Sequence, residues 1–168
     1  MFAVGEYVAC GSRGVCVVNE ITTLNLPGVD KNRKYYILKP VYQPQSTVYV
    51  PLDGTNENMR PVLGEKEAKA LVDAIPQIPT LTTDSEKLWE QTYRECMRSG
   101  DCVEWVKVLK TIYYRREQRQ RAGRKPTAVD TKYSHLVQDS LYGELAVALS
   151  VTREEVEEYI KNRSLLSC

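Results

Sequence analysis

The side chains with the clearest chemical direction are cationic. Arg115-Arg116, Arg119, Arg121, Arg124 and Lys125 follow directly on Tyr113 and Tyr114. Cations this closely spaced can meet successive backbone phosphates, giving affinity and position without reading bases. A solvated helix end followed by a basic loop has the same composition, since Lys and Arg favour helix C-termini. Upstream, Trp89 and Tyr93 recur at i and i+4, with Arg94 and Arg98 nearby. An exposed indole there would stack on an unpaired base or wedge at a duplex junction while Arg holds phosphate. Leu88, Thr92 and Cys96 mark a neighbouring stripe, so either ring serves equally well in a core. Trp105 lies beside the apolar stripe of the next helix and reads as packing.

Catalytic arrangements are absent from the pattern. His135 is the sole histidine, and Asp139 at i+4 suits surface pairing; no nearby serine or cysteine completes a nucleophile set. Asp139 and Glu144 follow no di-carboxylate rule, and Glu154, Glu155, Glu157 and Glu158 read as a solvated helix start. Gly11, Gly14 and Gly28 fall outside phosphate-loop and dinucleotide motifs. Cys10, Cys16, Cys96, Cys102 and Cys168 form no paired CxxC. Cys10 and Cys16 could face each other across an early turn, but neither that spacing nor Cys96 with Cys102 resembles a zinc site. The expectation is a protein with no catalytic residue, no metal, no cofactor and no small-molecule substrate.

The positioning elements follow from charge and periodicity. In 168 residues, 23 Lys and Arg oppose 22 Asp and Glu, so attraction to a polyanion must come from uneven placement. Residues 107–132 hold nine basic and two acidic side chains, whereas 84–105 and 133–168 each hold three basic and six acidic ones. No apolar run is long enough to cross a bilayer, and Met1-Phe2-Ala3-Val4-Gly5-Glu6 lacks the features of a secretory signal. A reducing cytosol is the expected setting, with no membrane partner.

Tyr7 to Ala9, Gly14 to Leu26, Tyr35 to Lys39 and Thr47 to Val50 are rich in branched and aromatic residues and broken by Gly, Pro, Asn and Asp. They predict short strands, best closed as a small barrel of the SH3 or Tudor type. The period then lengthens. Ala68, Leu71, Val72 and Ile75 make one helical face, and Pro76 and Pro79 punctuate a linker. Thr83 with Glu86, Asp101 with Glu104, Thr127 with Asp130 and Thr152 with Glu155 announce four helix starts. Val103, Val106, Leu109, Ile112 and Tyr113 form one stripe, while Lys107, Lys110, Arg115, Arg119 and Lys125 project over wetter surfaces. Tyr133, Leu136, Val137, Leu141, Leu145, Ala148 and Leu149 form another face, and Val156 with Ile160 a shorter one. Such faces are buried only by packing helices together. The fold class is α+β multidomain: a small Tudor/SH3-like β barrel followed by an all-α helical bundle.

The order of these features resembles a known family. Phe2, Val4-Gly5, Val8, Gly14, Val18, Ile21, Tyr35-Tyr36-Ile37-Leu38, Val48, Val50-Pro51 and Met59-Arg60-Pro61 are similar to the amino-terminal module of the bacterial CarD and CdnL regulators. That module is related to the polymerase-interacting region of a transcription-repair coupling factor. Trp89, Tyr93-Arg94, Ser99-Gly100-Asp101, Val106, Val108-Leu109, Tyr113, Arg115-Arg116 and Leu141-Tyr142-Gly143-Glu144-Leu145-Ala146 look like the family's carboxy-terminal domain.

The resemblance implies a non-enzymatic initiation regulator with three segments. Residues 1–62 would be a Tudor-like domain that binds the RNA polymerase β subunit, 63–83 a connecting helix and Pro-containing linker, and 84–168 a helical DNA-binding domain. Trp89 matches the tryptophan placed at the upstream edge of the transcription bubble, and Arg94 a basic DNA contact beside it. Tyr93, Arg98, Arg115, Arg116, Arg119, Arg121, Arg124 and Lys125 complete the expected DNA surface. On the polymerase side the candidates are Asn25, Thr47, Tyr49 and Pro51. Tyr49 stands where the family often has Arg, and Asn25 to Gly28 lacks the usual hairpin cation. The implied location is cytoplasmic, associated with the nucleoid through polymerase. The rival reading is an RNA-binding or general protein-interaction module with a basic helical surface.

Overall fold

The computed structural model describes residues 2–53 and 59–162. The chain divides into two compact units, Met1–Val62 and Leu63–Cys168.

The first unit is a five-stranded antiparallel sheet of β1 (Tyr7–Cys10), β2 (Val15–Thr23), β3 (Lys34–Pro40), β4 (Val48–Pro51) and β5 (Met59–Pro61), in the order β4-β3-β2-β1-β5. Alternation along β3 turns Tyr36, Leu38 and Pro40 inward, as a period of two requires. Tyr36 and Leu38 meet Val8, Cys10, Cys16, Val18 and Val48 in a small core, and Phe2 packs edge-on against the Tyr36 ring at 6.1 Å. The Phe2 amide donates to Tyr36 Oη at 3.1 Å, which pins the start of the chain to this core. Between β1 and β2 the chain reverses through Gly11 and Gly14, at φ 48° and 74°, a region costly for any residue with a Cβ.

The sheet is open, in contrast to the closed barrel that the strand pattern predicts. β4 and β5 are its two edges, and among the described residues they do not pair. Closure requires the end strands to share a ladder, and these two are only four and three residues long. β5 is a strand that the sequence pattern does not announce. Register also separates two cysteines: Cys16 lies opposite Val8, with Cys10 farther along β1.

The second unit holds α1 (Glu65–Ala74), α2 (Trp89–Arg98), α3 (Cys102–Arg121), α4 (Ala128–Leu149) and α5 (Arg153–Asn162). Three of the expected caps form. The Asp101 carboxylate accepts from the Val103 amide at 2.8 Å, Thr127 Oγ1 from the Asp130 amide at 3.1 Å, and Thr152 Oγ1 from the Glu155 amide at 3.1 Å. The fourth is shifted: Ser85, rather than Thr83, caps the short turn Glu86–Leu88 that leads into α2.

Residues 63–83, expected to form a connecting helix and linker, turn one apolar face onto the core of the helical unit. Leu63, Ala68, Leu71, Val72, Ile75, Ile78 and Leu81 all join its core. Pro76 sits near the start of a single 3-10 turn, where its missing N–H is harmless, so the chain turns without leaving the core. Lys110, expected over wet surface, points here too: its Nζ donates to the carbonyls of Ile75 at 2.8 Å and Ile78 at 2.6 Å. Buried Thr111 accepts the Leu81 amide at 2.8 Å, and buried Glu144 the Leu63 amide at 3.1 Å. The helical stripes shift by one position at their margins. Trp105 and Val108 are buried where Val103 is exposed, and Leu136 also faces solvent.

Candidate functional site

Of the two expected DNA-facing aromatic residues, Trp89 opens α2 and Tyr93 follows one turn later. Trp89 is half-buried against the helical core, and its ring lies 5.5 Å from that of Tyr93. Tyr93 itself is fully buried, its ring tilted against that of Tyr133 with centroids 5.5 Å apart, and its hydroxyl donates to Asp130 Oδ1 at 2.9 Å. It therefore has no surface to offer a ligand, and of the pair only Trp89 has solvent access. Burial, then the adjacent Asp130 charge, pushes the Tyr93 phenol far above its ordinary range, so it remains a neutral donor.

Arg115 is also drawn away from the expected basic surface. Its Nε donates to Asp130 Oδ2 at 3.0 Å, and its two terminal nitrogens donate to the Glu86 carboxylate at 3.0 and 3.1 Å. The guanidinium carbon lies 4.4 Å from the centre of the Trp89 ring, within cation–π range. One side chain thus ties α3 to α4, to the turn before α2, and to the indole. The Arg115 bond holds the Glu86 carboxyl below the usual glutamate range.

Sequence spacing carries a signal for this arrangement. Trp105, Val108 and Ile112 are buried, and Arg115 is the next position on their face. Asp130 similarly opens the stripe of Tyr133, Val137 and Leu141. Motif spacing marks Glu86 and Asp130 only as helix-start residues and does not mark Lys132 at all, so none of the three is assigned to the site by the sequence.

Arg94, Arg98, Arg121, Arg124 and Lys125 stay on the outside. Arg94 and Arg98 are exposed on α2; Arg94 pairs with Glu90 at 3.5 Å, and Lys132 of α4 reaches the same carboxylate at 3.4 Å. Arg116 is half-buried, and its Nε has no hydrogen-bond partner among the described residues. Arg121, Arg124 and Lys125 are exposed where α3 ends. That end is shaped by Gly123 at φ 72°, which lets the Arg124 amide return to the Arg119 carbonyl at 2.8 Å. Arg119 Nε then donates to the Lys125 carbonyl at 2.6 Å, so the basic loop is held to its helix.

In the β unit, Tyr49 is exposed on the edge strand β4, with Ile37 of β3 opposite it. Thr47 accepts from Lys39 Nζ at 2.7 Å, Pro51 is half-buried opposite Tyr35, and Asn25 is exposed in the β2–β3 connection. Tyr49 and Pro51 share the free edge and Thr47 lies just before it; Asn25 stands apart in sequence, on its own loop. No group of His, Cys, Asp and Glu among the described residues could hold a metal ion. No described helix is long and apolar enough to cross a membrane.

The described residues thus comprise an open antiparallel sheet, edged by β4 and β5, and a helical bundle that follows it in the chain. Residues 2–63 match the CarD-like/TRCF RID domain, and that assignment covers this region of the chain. Domains of this family are non-catalytic regulatory modules. No curated protein gives a significant match to the chain.

Proposed function

We propose that the chain is a bacterial transcription-initiation regulator that binds the RNA polymerase β subunit through its sheet and upstream promoter DNA through its helical unit. It would act in the cytoplasm, associated with the nucleoid through polymerase. The observation that carries the reading is the match of residues 2–63 to a domain family shared with a transcription-repair coupling factor. A free β4 edge supports it, because an edge strand offers unpaired backbone groups to a partner chain, with Tyr49 supplying an apolar anchor in place of charge.

On the helical unit, Trp89 is the group suited to the junction between paired and melted DNA. Arg94, Arg98, Arg116, Arg119, Arg121, Arg124 and Lys125 would supply phosphate contacts. Binding to polymerase raises the effective concentration of the helical unit near promoter DNA, so weak junction contacts suffice. Only a better fit to melting DNA than to closed duplex changes the lifetime of the open complex; equal fit would tether and nothing more.

The test follows promoter opening by the cognate polymerase with a fluorophore in the bubble, comparing wild type, Trp89→Ala and Tyr49→Asp at several salt concentrations. Wild type changes the open-complex lifetime, and each substitution weakens that change while circular dichroism stays native. An absent wild-type effect would overturn the reading; retained affinity for single-stranded RNA without polymerase would favour the rival module.

A further inference from the structure

The geometry points to Arg115 as a positioning residue for Trp89 rather than a phosphate contact, a role that rests on the DNA-junction reading above. Its five N–H donors form a planar fork, and all three of its nitrogens already donate to a carboxylate. Nε faces Asp130, whose side chain is fully buried, while both terminal nitrogens grip Glu86. The Arg115 side chain retains 13% of its exposure, whereas that of Arg94 retains 54%. Turning Arg115 toward a phosphate would leave a buried carboxylate without its counter-ion, a cost that no single exposed phosphate contact offsets.

The stack on Trp89 gives this inward placement a purpose. A half-buried indole at the first turn of a helix has several rotamers, and holding one of them costs entropy at the moment of binding. With the guanidinium 4.4 Å above the ring and Tyr93 beside it, one rotamer is held before DNA arrives. Glu86 fixes the guanidinium plane from the turn that precedes Trp89, so the fork and the indole move as one piece. Lys cannot reproduce this, since it offers a point charge in place of a stacked bidentate plane.

The experiment measures affinity of the full chain for a fluorescent duplex and for the same duplex with a melted segment, in wild type, Arg115→Lys, Glu86→Gln, Trp89→Ala and the two double variants containing Trp89→Ala. Arg115→Lys is expected to lower the preference for the melted junction about tenfold, the scale of one stacked base, with duplex affinity unchanged. Glu86→Gln leaves the Arg115–Asp130 pair in place and serves where the lysine variant folds poorly. Removing an acid favours DNA electrostatically, so a loss of junction preference in this variant has the opposite sign to its charge effect. Both losses are expected to vanish in the Trp89→Ala background, which isolates coupling through the indole.

A phosphate-contacting role predicts near-native behaviour for Arg115→Lys, since the charge is kept, and that result overturns the proposal. A purely structural role lowers affinity for both DNAs together and overturns it as well. Should wild type show no junction preference, the DNA reading fails and the positioning role falls with it. A wild-type preference that is lost in Trp89→Ala but intact in Glu86→Gln and Arg115→Lys sinks the positioning role alone.

Discussion

Arg115 reaches from α3 to the fully buried carboxylate of Asp130 on α4, Nε to Oδ2 at 3.0 Å, and this pair is the electrostatic centre of the helical unit. The carboxylate is satisfied from two sides, because Tyr93 Oη donates to its other oxygen at 2.9 Å. A buried carboxylate tolerates its position only while such donors stay in place.

Asp130→Ala leaves the Arg115 guanidinium partly buried without its charge partner and removes the acceptor for Tyr93. The expected loss is about 3–5 kcal/mol, the range for breaking a buried pair. Asp130→Asn retains an acceptor and is expected to lose less. Both tryptophans, Trp89 and Trp105, lie in the helical unit, so urea unfolding followed by their fluorescence reports this unit specifically. Equal stability of wild type and Asp130→Ala would show that the pair is not a structural keystone.

The start of α5 is held by a reciprocal box: Thr152 Oγ1 accepts the Glu155 amide at 3.1 Å while the Glu155 carboxylate accepts the Thr152 amide at 3.4 Å. Thr152→Ala is expected to cost about 1 kcal/mol, and Thr152→Ser close to nothing. Amide hydrogen exchange along α5 is the sensitive measurement, with faster exchange in the first turn expected for the alanine variant alone.

How much of the fold is legible in the sequence depends on how local each cause is. The three caps at Asp101, Thr127 and Thr152 follow from neighbouring residues alone, and so does the alternation that buries Tyr36 and Leu38. Openness of the sheet is not legible, because it depends on whether β4 and β5 meet after three intervening strands have twisted. β5 carries too few residues to show a period and includes Pro61, which suits an edge. Residues 63–83 read as a linker because Pro76 and Pro79 break periodicity, yet Ile75 before them, Ile78 between them and Leu81 after them still pack against the core. At the site, composition shows that Arg115 belongs to a cationic run but not which way each cation points. Its place after Trp105, Val108 and Ile112 holds the answer, masked by the expectation that charge faces water.

Alkaline pH should weaken the sheet unit. Burial, and after it the neighbouring Cys10 thiol, pushes the Cys16 thiol from an ordinary 9.0 up to about 12. The folded chain therefore keeps a proton that the unfolded chain releases. Stability contributed by the neutral thiol is complete below about pH 9 and is lost as pH rises toward about 12. Cys16→Ser or Cys16→Ala should flatten this window in denaturation followed by far-UV circular dichroism. The same burial protects the thiols: at pH 8, Cys10, Cys16 and Cys96 should resist alkylation until urea unfolds the chain. Cys168 lies outside the described residues, so the labelling is best read site by site by mass spectrometry. Rapid native-state labelling of Cys16 would contradict its burial.

Salt dependence separates the outward cations from Trp89 under the proposed DNA-binding function. Arg124 is exposed on a loop tied back to α3 by the Arg119 bond to the Lys125 carbonyl, so it presents charge from a fixed backbone. Removing one cation that meets a phosphate should lower the slope of log K against log salt by about 1, and should weaken duplex and junction DNA alike. Arg124→Ala is therefore expected to reduce the slope without altering junction preference. Trp89→Ala should do the reverse, because stacking releases no counterion while it alone distinguishes unpaired bases. Arg94 offers a graded case: its pairing with Glu90 at 3.5 Å is exposed and weak, so the side chain can exchange that carboxylate for a phosphate at little cost. Glu90→Gln is then expected to strengthen DNA binding modestly by releasing both Arg94 and Lys132, and an unchanged or weakened affinity in that variant would remove this face of α2 from the interface.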